Sequence, residues 1–306
     1  MTLHQNVLGV DIAQDWIDVF DLSTGVSIRI STPDLHLFAR GLCDVLVVFE
    51  ATGGYERPLA EALEVHGIAY VRVNPRQARE FARATGHLAK TDKVDARVLA
   101  HMGRALELKP DVPLEPSRKR LGERVARRDD LVRMATAEAQ RLTMAKDACV
   151  RRDITHLLQV LKARKAFIEA EIAALIEEVS ELRDQQACLR SAPGVGSATA
   201  AVLLARLPEL GRLDRRAIAS LAGLAPHACD SGHRRGRRHI WGGRAGVRRA
   251  LYLAAFVASR RDPCLKAMRQ RLQNLGKPVK VAIIAVARKL VTILNAMIRD
   301  NAIYAR

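Results

Sequence analysis

Apolar and polar positions alternate with two different periods along this chain, and the change of period divides it. In the first hundred residues the runs are short. "NVLGVDIA" (6–13) and "WIDVFDL" (16–22) are brief apolar stretches, and "GVSIRIS" (25–31) alternates residue by residue as a half-buried strand does. "DVLVVFEATGG" (44–54) is apolar almost without interruption until its glycines, the pattern of a central strand covered on both faces. "YERPLAEALEVHGI" then reads as a helix ending near Gly67, and "AYVRVNP" as the next strand. Strands alternating with helices predict an α/β domain with a mixed sheet.

The period lengthens after that. From Glu123 to Ala192 there is neither glycine nor proline, and Leu157, Leu161, Ile168, Ile172, Leu175, Val179 and Leu182 recur at helical spacings. Leu121, Val125, Val132, Ala135, Ala139 and Leu142 offer a facing seam. Two long helices forming a coiled-coil hairpin, with a break around residues 148–153, are expected, in a spacing or dimerising role. "SAPGVGSATAAVLLARLPEL" (191–210) opens a third, mainly α segment and resembles a helix-hairpin-helix element, in which Gly194 and Gly196 would let a phosphate approach the backbone. A helical turn without a ligand reads the same way. "GVRRALYLAAFVASRR" and a basic amphipathic helix from about Lys277 complete the chain. The expected domains are 1–115, 116–188 and 189–306.

Composition adds a partner class. A net charge of +17 and a pI near 10.3 favour a polyanion, of which nucleic acid is the commonest. The five cysteines are scattered and form no CxxC pair, which argues against a thiolate zinc site and a disulfide framework. The N-terminus lacks the basic and apolar regions of a signal peptide. The C-terminal apolar stretch is interrupted by Arg288 and Lys289 and reads as too short for a bilayer, so no membrane partner and a cytoplasmic, nucleoid-associated location are expected.

Candidate chemistry begins with carboxylates. Asp11 follows the run "VLGV" and Glu50 follows "DVLVVF", so both stand at strand ends, where open α/β sheets place ligands. Asp92 and Asp95, in "AKTDKVDARVLA", are three apart and share one face of a helix, with Thr91 as a candidate cap. Acids at a helix start also occur for dipole reasons alone. If the four met, mutual repulsion would demand hard cations, Mg²⁺ or Mn²⁺, and a pair of such ions suits phosphoryl transfer.

The second feature is "HACDSGHRRGRRHIWGG" (227–243), where Ser231 precedes a run of arginines. On its own this serine admits three readings: a nucleophile, a phosphate-contacting hydroxyl or a turn residue. Arg234, Arg235, Arg237, Arg238 and Arg244, together with Lys90, are candidate nucleic-acid contacts, and the same run also fits a solvated basic face. His227, His233 and His239 lie close by and read better as surface or nucleic-acid contacts than as proton carriers.

The segments "VLGVDIAQDWIDV", "VVFEATGGYERPLAEAL", "VNPRQAREFARATGHLAKTDKVDARVLA", "PGVGSATA" and "GLAPHACDSGHRRGRRHIWGGRAGVRRALYLAA" closely resemble the DEDD transposases of bacterial insertion sequences, the "IS one-ten" group, related to the Piv-type DNA invertases. The resemblance implies a RuvC-like (RNase H-like) N-terminal domain whose D-E-D-D tetrad falls on Asp11, Glu50, Asp92 and Asp95. It implies a C-terminal transposase domain in which Ser231, Gly232, Gly236 and Ile240 fill the serine motif, Ser231 being the nucleophile. It further implies double-stranded DNA (element ends and target) and a structured bridge RNA as partners, while the long helices lead to the expectation of a homo-oligomer, dimer or tetramer. The competing expectations are a metal-dependent, structure-selective nuclease with no serine intermediate, and a noncatalytic nucleic-acid-binding remnant.

Overall fold

The computed structural model describes residues 6–86, 92–227 and 238–305, with the side chains of residues 92–94 and 227 outside that description. Its contacts divide the chain into two units, Met1–Pro113 and Leu114–Arg306.

In the first unit the chain runs β1 (Asn6–Ile12), β2 (Trp16–Asp21), β3 (Ser27–Ser31), α1 (Leu35–Arg40), β4 (Val45–Glu50), α2 (Arg57–Val65), β5 (Ala69–Val73), α3 (Pro75–Ala84) and α4 (Asp92–Ala105). The strands form one mixed sheet in the order β3-β2-β1-β4-β5. β1, β2 and β3 pair antiparallel, whereas β1, β4 and β5 are parallel. The run from Val45 to Phe49 is buried throughout because helices cover both faces. Leu8, Val10, Val47 and Phe49 point to the face where Leu35, Leu59 and Leu63 of α1 and α2 pack. Val7, Leu46 and Val48 point the other way, against Leu99 and Met102 of α4.

Gly9 decides how close α4 comes. A Cβ placed there would lie 1.9 Å from the Ala96 carbonyl oxygen and 2.4 Å from the Ala100 nitrogen. The helix backbone therefore rests directly on β1, at a position no side chain leaves open. Gly103 repeats the arrangement one end further along, where a Cβ would meet Val7 and Val48 at 2.8 and 2.7 Å.

The second unit holds α5 (Pro116–Met144), α6 (Ala148–Glu178), α7 (Ser180–Ser191), α8 (Ser197–Arg206), α9 (Arg215–Leu221), the short strands β6 (Pro226–His227) and β7 (His239–Ile240), α10 (Ala245–Arg261), α11 (Pro263–Asn274) and α12 (Val279–Asp300). The expected long hairpin is α5 with α6, but its break lies at Ala145–Asp147, ahead of the expected 148–153. Asp147 makes that break by capping α6, accepting hydrogen bonds from the N–H groups of Cys149 and Val150. Leu121, Val125, Leu161, Ile172 and Leu175 are buried as the spacing predicts, while Leu131 is buried where Val132 was expected to lead. Arg118 ties the hairpin base to its neighbours: its buried guanidinium donates to Leu204 O, Glu181 and Gln185 at 3.1, 2.9 and 2.7 Å.

α12 corrects the reading of the C-terminal apolar stretch as too short. Its 22 residues are long and apolar enough to cross a membrane, the one such helix among the described residues. Ile283, Val286, Leu290 and Leu294 are nevertheless buried in the core of the unit, and Lys289 is exposed on its outer side.

Candidate functional site

Asp11 and Glu50 sit at the carboxyl ends of two neighbouring parallel strands, each one residue past the Val10–Phe49 pair of the β1–β4 ladder. Side chains alternate along a strand, so Asp11 shares the face of Val7 and Gly9, and Glu50 that of Leu46 and Val48. Both faces are the one covered by α4. Because Ala96 seats on Gly9 and Gly103 on Val7, α4 runs antiparallel to β1 and brings its N-terminal turn to the end that carries Asp11. Asp95, half-buried, precedes Ala96 on that turn. Asp11, Glu50 and Asp95 thus lie toward the same end of the face that α4 covers. The backbone of Asp92 opens α4, but its side chain lies outside the described residues. Lys90 and Thr91 lie outside them altogether. Among the described residues no group of three or more His, Cys, Asp or Glu side chains is arranged to hold a metal ion. The oxygen-only character of the acids nonetheless suits a hard divalent cation.

Two further acids shape this edge, and neither was singled out from the sequence. Asp18 stands directly opposite Asp11 in the β1–β2 ladder and so faces the same side. It is buried, and Arg29 grips both its oxygens at 2.9 and 2.8 Å while lying 4.7 Å over the Trp16 ring. Glu56 organises the turn after Glu50. Its Oε2 accepts from the N–H of Gly54 at 2.8 Å, the N–H of Thr52 at 3.1 Å and the Thr52 hydroxyl at 3.2 Å. Burial works against the charged form, but these donors outweigh it and hold the Glu56 carboxyl below the usual carboxylate range. Gly53 and Gly54 supply the left-handed backbone (φ 75° and 126°) on which this turn depends. The alternation in "WIDV" and the spacing in "ATGGYE" were the available signals; the strand register that gives them meaning is tertiary.

In the second unit, β6 and β7 pair Pro226 with Ile240 and His227 with His239. Ser231, Arg234, Arg235 and Arg237 fall between these strands and lie outside the described residues, as does His233. Arg238 is described and exposed. The chain on either side is locked together below the ribbon. A Cβ on Gly243 would lie 2.3 Å from the Gly223 nitrogen, Arg244 N–H donates to Leu221 O at 2.8 Å, and Arg248 donates to Gly242 O at 2.7 Å. Arg244, a candidate nucleic-acid contact, engages both oxygens of Glu209 and the Arg206 carbonyl. Burial would raise the Glu209 carboxyl, but the Arg244 guanidinium overrides it and holds Glu209 below its ordinary range. Gly194 is also engaged internally: with φ +82°, a Cβ there would lie 2.3 Å from Ala254 O of α10. Gly196, by contrast, faces open space at the start of α8.

Comparison with known proteins supplies the context for both sites. A family model described as transposase, of the DEDD IS110 group, matches residues 35–149, and one described as transposase IS116/IS110/IS902 family matches residues 186–270. The pilin gene-inverting protein of Moraxella bovis is 29% identical over 262 residues, covering 83% of this chain and 80% of the relative. The insertion element IS110 43.6 kDa protein of Streptomyces coelicolor is 36% identical over 150 residues, 48% of this chain and 36% of that protein. The insertion element IS900 42 kDa protein of Mycobacterium paratuberculosis is 34% identical over 140 residues, 43% of this chain and 34% of that protein.

Proposed function

The chain belongs to the IS110 family of insertion-sequence transposases, and from that premise we propose that it cuts and rejoins DNA with an acidic tetrad and a serine nucleophile. It is a DNA-binding recombinase by kinship. The tetrad is Asp11, Glu50, Asp92 and Asp95, and the observation that supports it is the seating of α4 on Gly9, which brings the N-terminal turn of that helix to the end of β1 that carries Asp11. The sheet order and its mixed pairing support a RuvC-like domain.

The four carboxylates would hold Mg²⁺ or Mn²⁺, which supplies charge neutralisation at a phosphate oxygen and lowers the cost of deprotonating an attacking hydroxyl. The residues of this chain do the rest. Asp18 keeps its own charge matched by Arg29, so it adds structure beside Asp11 without adding unopposed repulsion. Ser231 Oγ bonds to the phosphorus of a DNA backbone phosphate while the P–O bond to one flanking deoxyribose breaks. The serine proton passes to a base and the departing sugar oxygen takes up a proton. Attack of a second strand's hydroxyl on the phosphoserine reverses these changes and releases Ser231, conserving the phosphodiester energy. Arg234, Arg235, Arg237 and Arg238 offset the phosphate charge. A structured bridge RNA, as the resemblance implies, selects the DNA partners. The chain works as a homo-oligomer, for which Met134, Met144, Val160 and Phe167, exposed along the α5–α6 hairpin, offer surface.

The test is trapping of a protein–DNA adduct on denaturing gels. The wild-type chain is expected to yield a covalent adduct, Ser231→Ala none, and Asp92→Asn none despite retained DNA binding. Full strand cleavage by Ser231→Ala would overturn the serine step and leave the nuclease reading.

A further inference from the structure

Charge is distributed very unevenly in this chain. Seventeen Lys and Arg lie between Ser231 and Arg299 against one acid, Asp262, so nearly the whole net charge of +17 belongs to that stretch. Asp262 is buried and already engaged, accepting from Tyr304 Oη at 2.9 Å and from the Leu265 N–H at 2.8 Å. It does not neutralise the surface.

Part of this surplus is focused in a groove between α11 and α12. Cys264, Met268 and Arg271 line it from α11, Lys289 and Ile293 from α12, and Tyr304 closes one end. Among the described residues no acidic side chain lines it. Lys277 and Lys280 are exposed at the turn joining the two helices, the end where Arg271 sits. Among the described residues, Arg271, Lys277, Lys280 and Lys289 have no ion-pair partner, whereas Arg118, Arg124, Arg128, Arg206 and Arg244 elsewhere in the unit are all paired. Like charges directed into one groove repel unless an anion joins them, and a groove with apolar walls concentrates the field on its occupant.

We propose that the α11–α12 groove is a second DNA-binding surface, distinct from the Ser231 segment, that holds the phosphate backbone of duplex DNA. Arg271 and Lys289 contact successive phosphates, Lys277 and Lys280 extend the track, and Met268 and Ile293 lie under the sugars. The contacts reach the backbone alone, so they position the DNA without reading its sequence. The inference needs neither the serine nor the tetrad to act as proposed above.

The experiment is equilibrium binding of the full chain to labelled duplex DNA across a salt series. Each phosphate contact contributes about 0.9 to the slope of log affinity against log salt, so Arg271→Ala with Lys289→Ala is expected to make the slope shallower by about 2. Affinity should fall by roughly tenfold per charge removed at about 0.1 M salt, equally for element-end and unrelated DNA. The charge-preserving pair Arg271→Lys with Lys289→Arg should retain the slope. Lys277→Ala with Lys280→Ala, confined to an exposed turn, tests the same track should the groove variant fold poorly. An unchanged slope in a folded variant overturns the proposal. So does a loss confined to structured RNA with duplex binding intact, which would assign the groove to RNA instead.

Discussion

Asp18 and Arg29 form the most constrained ion pair beside the candidate site, with both carboxylate oxygens held and the aspartate side chain only 11% exposed. Removing the arginine strands a buried charge across the ladder from Asp11, whereas removing both partners leaves none. Arg29→Ala is therefore expected to cost about 1–2 kcal/mol, discounted for the half-exposed guanidinium, and the same change in an Asp18→Asn background much less. Chemical denaturation of the four chains in that cycle measures the difference. Glu209 makes a pH prediction of the opposite reach. Its carboxyl is depressed in the folded chain, so the Arg244 pair stabilises above the ordinary value of 4.5 and that contribution is lost as pH falls below it. Glu209→Gln should lower stability near neutrality and flatten the acid limb of the melting profile; an acid limb as steep as wild type would count against the pair.

At the scale of elements, two glycines predict how far helices tolerate being moved. Gly9→Ala forces α4 off β1, and overpacking of this kind costs about 1–3 kcal/mol or more. Cleavage should fall further than stability, because the displaced helix is the one that carries Asp92 and Asp95. Gly194→Ala meets α10 backbone and a left-handed φ, so it should lower the melting temperature clearly, while Gly196→Ala, in open space, should lower it little. Equal effects would show that α10 yields. The strands from β1 to β5 were legible because alternation and the both-faces-buried run of β4 are local signals. The hairpin break was legible only to within a few residues, since neither glycine nor proline marks it and its punctuation is the capping Asp147. Asp11 and Glu50 were legible as strand ends. Gly9 and Asp18 were missed because their meaning depends on which strand or helix lies opposite.

Across the whole molecule the two units differ in what holds them. The first is built on a sheet with a core on each face, the second on helices sharing one large apolar core. The C-terminal apolar helix illustrates how composition alone misleads: Arg288 and Lys289 interrupt the run of letters but not the buried face, which passes beside them through Val286, Leu290 and Leu294. Reversing two exposed charges within 231–299 should slow association with DNA and weaken its salt dependence more than reversing two elsewhere, as stopped-flow measurements across ionic strengths would show. That segregation also has a thermodynamic side. A stretch of sequence with seventeen cations against one buried acid carries a surplus that favours a polyanion, so any nucleic acid bound to the folded chain acts as a folding ligand. Heparin or short DNA should raise the melting temperature of the helical unit in proportion to the logarithm of its concentration, and the stability of this transposase becomes a property of the complex it works in.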